Sequence, residues 1–152
     1  MTPNEKAFLD MLAYTEGTQQ IGDRGYDALV GGGTFDGYAH HPNKMVALKR
    51  SGGKPPIYSD AAGRYQFLFE TWKLLKERLQ LPDFSPDSQD AACHELVRQH
   101  GGLELVQAGR IPSAILACNK IWASLPGSPY GQGGKTLDEA LHAYQSAGGT
   151  LS

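Results

Sequence analysis

Residues 7–18, AFLDMLAYTEGT, carry an apolar stripe that ends in an acid. Phe8, Met11, Leu12 and Thr15 fall at i, i+3, i+4 and i+7, the spacing that lines side chains along the buried face of a helix. Glu16 follows Leu12 by four residues and Phe8 by eight, so it continues that face. Three features push a carboxyl pKa upward there: apolar surroundings, the negative end of the helix macrodipole and a glycine-rich segment alongside. Desolvation should dominate, because the dipole at an exposed helix end amounts to only about 0.3–1 kcal/mol. A glutamate that keeps its proton near neutral pH is a proton donor, which is what protonating a glycosidic oxygen requires. The plain alternative is a solvent-facing glutamate in a frayed last turn.

Two further segments bear on that choice. AAGRYQF, residues 61–67, places Gly63, Tyr65 and Gln66 where a loop-rich region passes into a helix, a position from which an amide can face a cleft. IWASLPGSPYGQGG, residues 121–134, is a turn-rich loop presenting Tyr130 and Gln132, and an aromatic face with an amide suits a sugar ring. Alone, the first segment reads better as a glycine turn with Tyr65 as core filler, and the plain alternative for the second is a surface loop. The adjacent His40 and His41 make a poor chelate, since neighbours in an extended segment point to opposite faces. His94, His100 and His142 read as helix-surface residues. With no HExxH, CxxC or phosphate-cradling glycine motif, no metal and no cofactor is expected.

The elements that must position these residues are well punctuated. Thr2, Pro3 and Glu5 form a capping box with proline at the first helical position, and Gly17 closes the helix. From Gly17 to Gly63 the chain holds 10 of its 19 glycines and lacks helical periodicity, so residues 18–62 are predicted to form a small β lobe, a hairpin or three-stranded sheet with long loops. Helical spacing returns at Leu68, Trp72, Leu75 and Leu79, and again from Ser85-Pro86 to Gly101-Gly102 around Cys93, Leu96 and Val97. A short piece, LELVQ, precedes a helix predicted from about Pro112 to Leu125 with Ile111, Ile115, Cys118 and Trp122 on one face. The last helix starts at a second capping box, Thr136 to Glu139, buries Leu137, Leu141 and Tyr144, and ends at Gly148-Gly149. The predicted fold class is α+β, a helical lobe plus a glycine-rich sheet lobe with a cleft between them.

Composition narrows the partner. A chain of 152 residues supports one domain, here 1–152, with a core of useful size. Charged residues make up 20% and the net charge is −2, which gives no broad field for nucleic acid or anionic lipid and favours a neutral ligand. Cys93 and Cys118 fall inside helical patterns and read as core filler. The N-terminal stretch has neither a basic start nor a long apolar run, so no secretion signal and no membrane insertion are expected.

AFLDMLAYTEGT, GYDALVGG at 25–32, HPNKMVAL at 41–48, AGRYQF, DFSPDSQDA at 83–91 and IWASLPGSPYGQ, taken in order, resemble the endolysins of lambda-type bacteriophages, lysozyme-like lytic transglycosylases of peptidoglycan. The resemblance covers nearly the whole chain. It implies a lysozyme-like fold, Glu16 as the catalytic acid/base, and Tyr65, Gln66, Tyr130 and Gln132 in motifs that line the family's glycan-binding cleft. It implies further that a monomer meets peptidoglycan glycan strands, after synthesis in the host cytoplasm and permeabilisation of the inner membrane, to bring about host lysis.

A hydrolytic lysozyme usually needs a second carboxylate, either a nucleophile about 5–5.5 Å from the acid or a more distant base. A transglycosylase manages with one, because the 6-hydroxyl of muramic acid attacks its own anomeric carbon. Asp23, Asp27, Asp36 and Asp60 are the available second carboxylates, each more often a turn or loop residue than a catalyst; Asp27, within GYD, is the one expected to touch the cleft and its substrate. A muramidase using such a pair, and a glycan-binding module without catalysis, are the competing expectations.

Overall fold

The structure, a computed structural model, describes residues 1–129 and 134–152. The chain divides into two compact units, one of residues 1–17 with 93–152 and one of residues 18–92.

The first unit is helical. Its opening helix α1, Pro3–Glu16, forms where the caps demand it: the Thr2 side chain accepts from the Glu5 N–H at 3.1 Å, and the Thr2 N–H donates to Glu5 at 2.7 Å. Gly17 ends the helix in the left-handed region at φ 76°, and its N–H bonds back to the last turn. Phe8, Met11 and Leu12 are fully buried. The C-terminal part of α3 (Pro86–Gln99), α4 (Leu103–Gln107), α5 (Ile111–Cys118) and α6 (Leu137–Ser146) complete this unit, with α1 packed on α4 and α6, and α5 on both of these. Glu5 is buried as well, where it meets the His94 ring at 3.0 Å and accepts from Gln107 at 3.1 Å. His94 is therefore half-buried and partnered rather than a plain surface residue. Cys93 and Cys118 are buried thiols not joined in a disulfide, and burial pushes Cys118 up to about 12, which leaves it unreactive.

Two expectations fail here for local reasons. The helix predicted to reach Leu125 stops at Cys118. Asn119 turns its side-chain amide to the Pro126 carbonyl at 3.2 Å, and the chain proceeds through turns that still bury Trp122 and Leu125. In α6 the buried positions are Ala140 and Tyr144, whereas Leu137, in the first turn, is 40% exposed.

The second unit carries a two-stranded antiparallel sheet, β1 (Val46–Leu48) on β2 (Ile57–Ser59), in register Val46 to Ser59 and Leu48 to Ile57. The sheet is small because SGGKPP follows β1 with glycine and proline, which break the ladder. Its other extended contacts are single bridges, Leu29 to Ala62 and Ala62 to Phe67 among them. Helix α2, Phe69–Leu79, buries only Trp72 and Leu75; Leu68 precedes it and is exposed, and the Asp60 carboxylate caps it by accepting the Phe69 N–H at 3.1 Å. Trp72 stands edge-on to Phe84 at 4.6 Å between ring centres, and buried His41 packs against Phe84 from another side.

Candidate active site

Glu16 is the last residue of α1, so its backbone carbonyl belongs to the open end of the helix, which offers carbonyls rather than N–H groups. The residue keeps some exposure, but its carboxyl is largely withdrawn from water, and that burial pushes its pKa from 4.5 up to about 7. A hydrogen bond with the Ser124 hydroxyl favours the ionised form and works against the rise. Ser124 sits in the turns after α5, where its Oγ also donates to Thr15 Oγ1 at 3.2 Å. Thr15, itself buried, donates to the Leu12 carbonyl at 3.1 Å. The apolar stripe thus ends in a row of three oxygen-bearing side chains. A carboxyl held near 7 is populated in both protonation states at neutral pH, as an acid that later serves as a base requires.

The second unit holds Asp27, Tyr65 and Gln66. Asp27 accepts the Asp23 N–H at 2.8 Å, closing the turn that contains Gly25. Tyr65 is 1% exposed; its hydroxyl donates to Asp90 at 2.6 Å and accepts from Arg64 at 3.2 Å. Tyr26 donates to the same carboxylate at 2.9 Å, and burial pushes its phenol up to about 12, with the Asp90 charge adding to the rise. Gln66 is half-buried and adopts a left-handed backbone at φ 54°, uncommon outside glycine, and its amide nitrogen donates to the Gly63 carbonyl at 2.9 Å. Beneath this turn lies Gln89, fully buried, which accepts the Arg64 N–H at 2.9 Å and donates to the carbonyls of Tyr26 and Phe84. Tyr65 is therefore a core residue whose hydroxyl is engaged, and Gln66 is the member of the pair with a side chain still within reach of solvent.

Tyr130 and Gln132 lie outside the described residues. Among the described residues, no three His, Cys, Asp or Glu side chains group as a metal ion would need, and no helix is long and apolar enough to cross a membrane. Reading the sequence for chemistry missed Ser124 and Thr15 as partners of Glu16, and Gln89 and Asp90 as the supports of the Tyr65-Gln66 turn. Thr15 looked apolar by spacing, and Gln89 and Asp90 adjoin each other in DSQDA, with nothing local to show that one is fully buried.

The Endolysin family matches residues 6–151. The chain is 44% identical over 150 residues to the endolysin of Escherichia phage lambda, covering 96% of this chain and 92% of that one. It is 42% identical over 158 residues to the endolysin of Escherichia phage P2, covering 96% and 93% respectively. The solved structure of bacteriophage lambda lysozyme complexed with a chitohexasaccharide superposes with a TM-score of 0.92 at 42% identity, over 100% of this chain and 98% of that one. With a family match over nearly its whole length and these relatives above 40% identity, the chain belongs to the endolysin family.

Proposed function

We propose that this endolysin, which acts on peptidoglycan, is a lytic transglycosylase that cleaves the MurNAc–GlcNAc β-1,4 bond with Glu16 as its only catalytic carboxylate. The observation that carries the reading is the state of Glu16, a desolvated carboxyl near 7 that is hydrogen-bonded, among the described residues, by a neutral hydroxyl. In the first step Glu16 gives its proton to the leaving glycosidic oxygen. In the second it takes the proton of the muramic acid 6-hydroxyl as that oxygen closes on the anomeric carbon, and a 1,6-anhydro ring forms without water. The sugar's 2-acetamido group can stabilise the cation between the two steps.

Three of the four loop carboxylates are engaged in other tasks, which supports a single-acid mechanism. Asp27 closes a turn, Asp60 caps α2, and Asp23 takes the Tyr38 hydroxyl at 2.8 Å. We assign Asp27, Gln66, Tyr130 and Gln132 to substrate binding, with Tyr65 holding Gln66 in place from below. The partner is the glycan strand of peptidoglycan, bound by a monomer without metal or cofactor. The lambda relative was solved with a chitohexasaccharide, a ligand of the same β-1,4 class. We place the site of action in the periplasm, reached from the host cytoplasm once the inner membrane is permeabilised. Mass spectrometry of digested peptidoglycan tests the mechanism: anhydromuramic ends are expected, abolished by Glu16→Gln and only reduced in yield by Asp27→Asn. Reducing muramic acid ends would instead establish the hydrolase, and an undiminished turbidity of the wall suspension a mere binder.

A further inference from the structure

Once Glu16 is ionised, the row Glu16, Ser124, Thr15, Leu12 has two hydroxyl protons for three bonds. Thr15 spends its one hydroxyl proton on the Leu12 carbonyl at 3.1 Å, so toward Ser124 it can only accept. Ser124 also has one proton, and two acceptors compete for it: Thr15 Oγ1 at 3.2 Å and the Glu16 carboxyl. A neutral carboxyl is a weak acceptor and a carboxylate a strong one, so the preferred direction of the Ser124 hydroxyl depends on the charge of Glu16. Burial and Ser124 are the two influences on Glu16, and no charged side chain among the described residues is a third.

We infer that Ser124 is a positioning residue of the catalytic cycle, its hydroxyl turning from Thr15 to Glu16 when Glu16 loses its proton and back again when Glu16 recovers it. The inference rests on Glu16 being the acid/base. Thr15 is the parking acceptor: it allows the hydroxyl to remain bonded while Glu16 is neutral. The turn is a single torsion about Cβ–Oγ and moves no heavy atom.

Two substitutions then act in opposite directions, which a purely structural role would not produce. Ser124→Ala removes the donor to the carboxylate and should raise the Glu16 titration midpoint by about one pH unit, the scale of a hydrogen bond to a charged group. Thr15→Val, nearly the same shape, removes the competing acceptor, commits the Ser124 proton to Glu16 and should lower the midpoint. The readout is carbon NMR of the Glu16 side-chain carboxyl in the full chain, titrated from pH 4 to 9, with the alkaline limb of kcat/KM on purified peptidoglycan moving in the same sense. Shifts of the same sign, or no shift for Thr15→Val in a protein of native spectrum, would overturn the inference. The NMR measurement needs no turnover, so the underlying assignment fails separately, by persistence of cleavage in Glu16→Gln.

Discussion

A carboxyl that titrates at about 7 when folded and near 4.5 when unfolded must leave a mark on stability as well as on catalysis. The folded state holds the Glu16 proton more tightly, so between pH 4.5 and 7 the unfolded chain ionises first and stability falls with rising pH. The contribution is intact below 4.5, declines by about 1.4 kcal/mol per pH unit, and is spent above 7, giving a total of about 3 kcal/mol. Glu16→Gln replaces the neutral carboxyl with a near-isosteric amide that cannot ionise. The variant should match the wild-type protein to within a constant offset at pH 4.5 and gain on it steadily, reaching about 3 kcal/mol at pH 8. For a chain of this length that equals an increase in Tm of roughly 6–12 °C. Thermal unfolding of both proteins at half-unit intervals from pH 4 to 8.5, with catalysis left out of the experiment, reads it directly. A difference in Tm that stays flat across the range would mean that Glu16 ionises freely in water, and the acid role would lose its physical basis.

Three other predictions follow from the geometry. Glu5 is held at about 2 in the folded protein: burial opposes its charge, but the Thr2 backbone, the His94 and Gln107 side chains and the attraction of His94 together outweigh it. Its contribution is therefore present above 4.5 and lost as pH falls toward 2, so Glu5→Gln should cost about 2–3 kcal/mol in urea unfolding at pH 7 and under about 1 kcal/mol at pH 2.5. Gly63 has φ 84°, and a methyl there would run into the Gln89 amide and the Phe84 ring, so Gly63→Ala should lower stability by about 2–4 kcal/mol by circular dichroism melting; a loss below about 1 kcal/mol would contradict the close approach. Gln66→Gly relieves a left-handed backbone while loosening the unfolded chain, so stability should move by no more than about 1 kcal/mol, yet turbidity clearing should slow markedly; unchanged kcat/KM would remove Gln66 from the substrate site.

Local signals were legible. Both capping boxes, Thr2 with Glu5 and Thr136 with Glu139, form as their spacing requires, because every atom involved lies within one turn of helix. The endings at Gly17 and Gly101 are readable for the same reason, since each needs only a residue that tolerates positive φ. The early stop of α5 was not legible: the apolar spacing continues through Trp122, and burial of Trp122 and Leu125 satisfies that pattern whether the backbone is helical or turned. Long-range partners were equally hidden. Ser124 meets Thr15 across 109 residues and His94 meets Glu5 across 89, and no periodicity within one segment encodes such a pairing. At the candidate site, accordingly, Glu16 was visible as an acid on an apolar face, while the hydroxyls that tune it were not.

The two acids of α1 show which physical terms assign them their roles. Glu5 in the first turn is pulled down to about 2 and Glu16 in the last is pushed up to about 7, although both are withdrawn from water. A gap of that size corresponds to roughly 7 kcal/mol between the ionised states. The macrodipole has the correct sign at both ends, but at about 0.3–1 kcal/mol for each end it accounts for a minor share. The larger share is the supply of donors. The start of a helix offers free N–H groups, and Glu5 takes one from Thr2 and adds His94 and Gln107. The end of a helix offers only carbonyls, so a carboxyl desolvated there finds no backbone donor of its own helix and depends on whatever another segment brings, which among the described residues is the hydroxyl of Ser124. Placing the acid at the final residue of α1 thus leaves burial as the main influence on its charge, opposed among the described residues by one rotatable hydroxyl proton, and a side chain so balanced is suited to giving a proton up and taking one back.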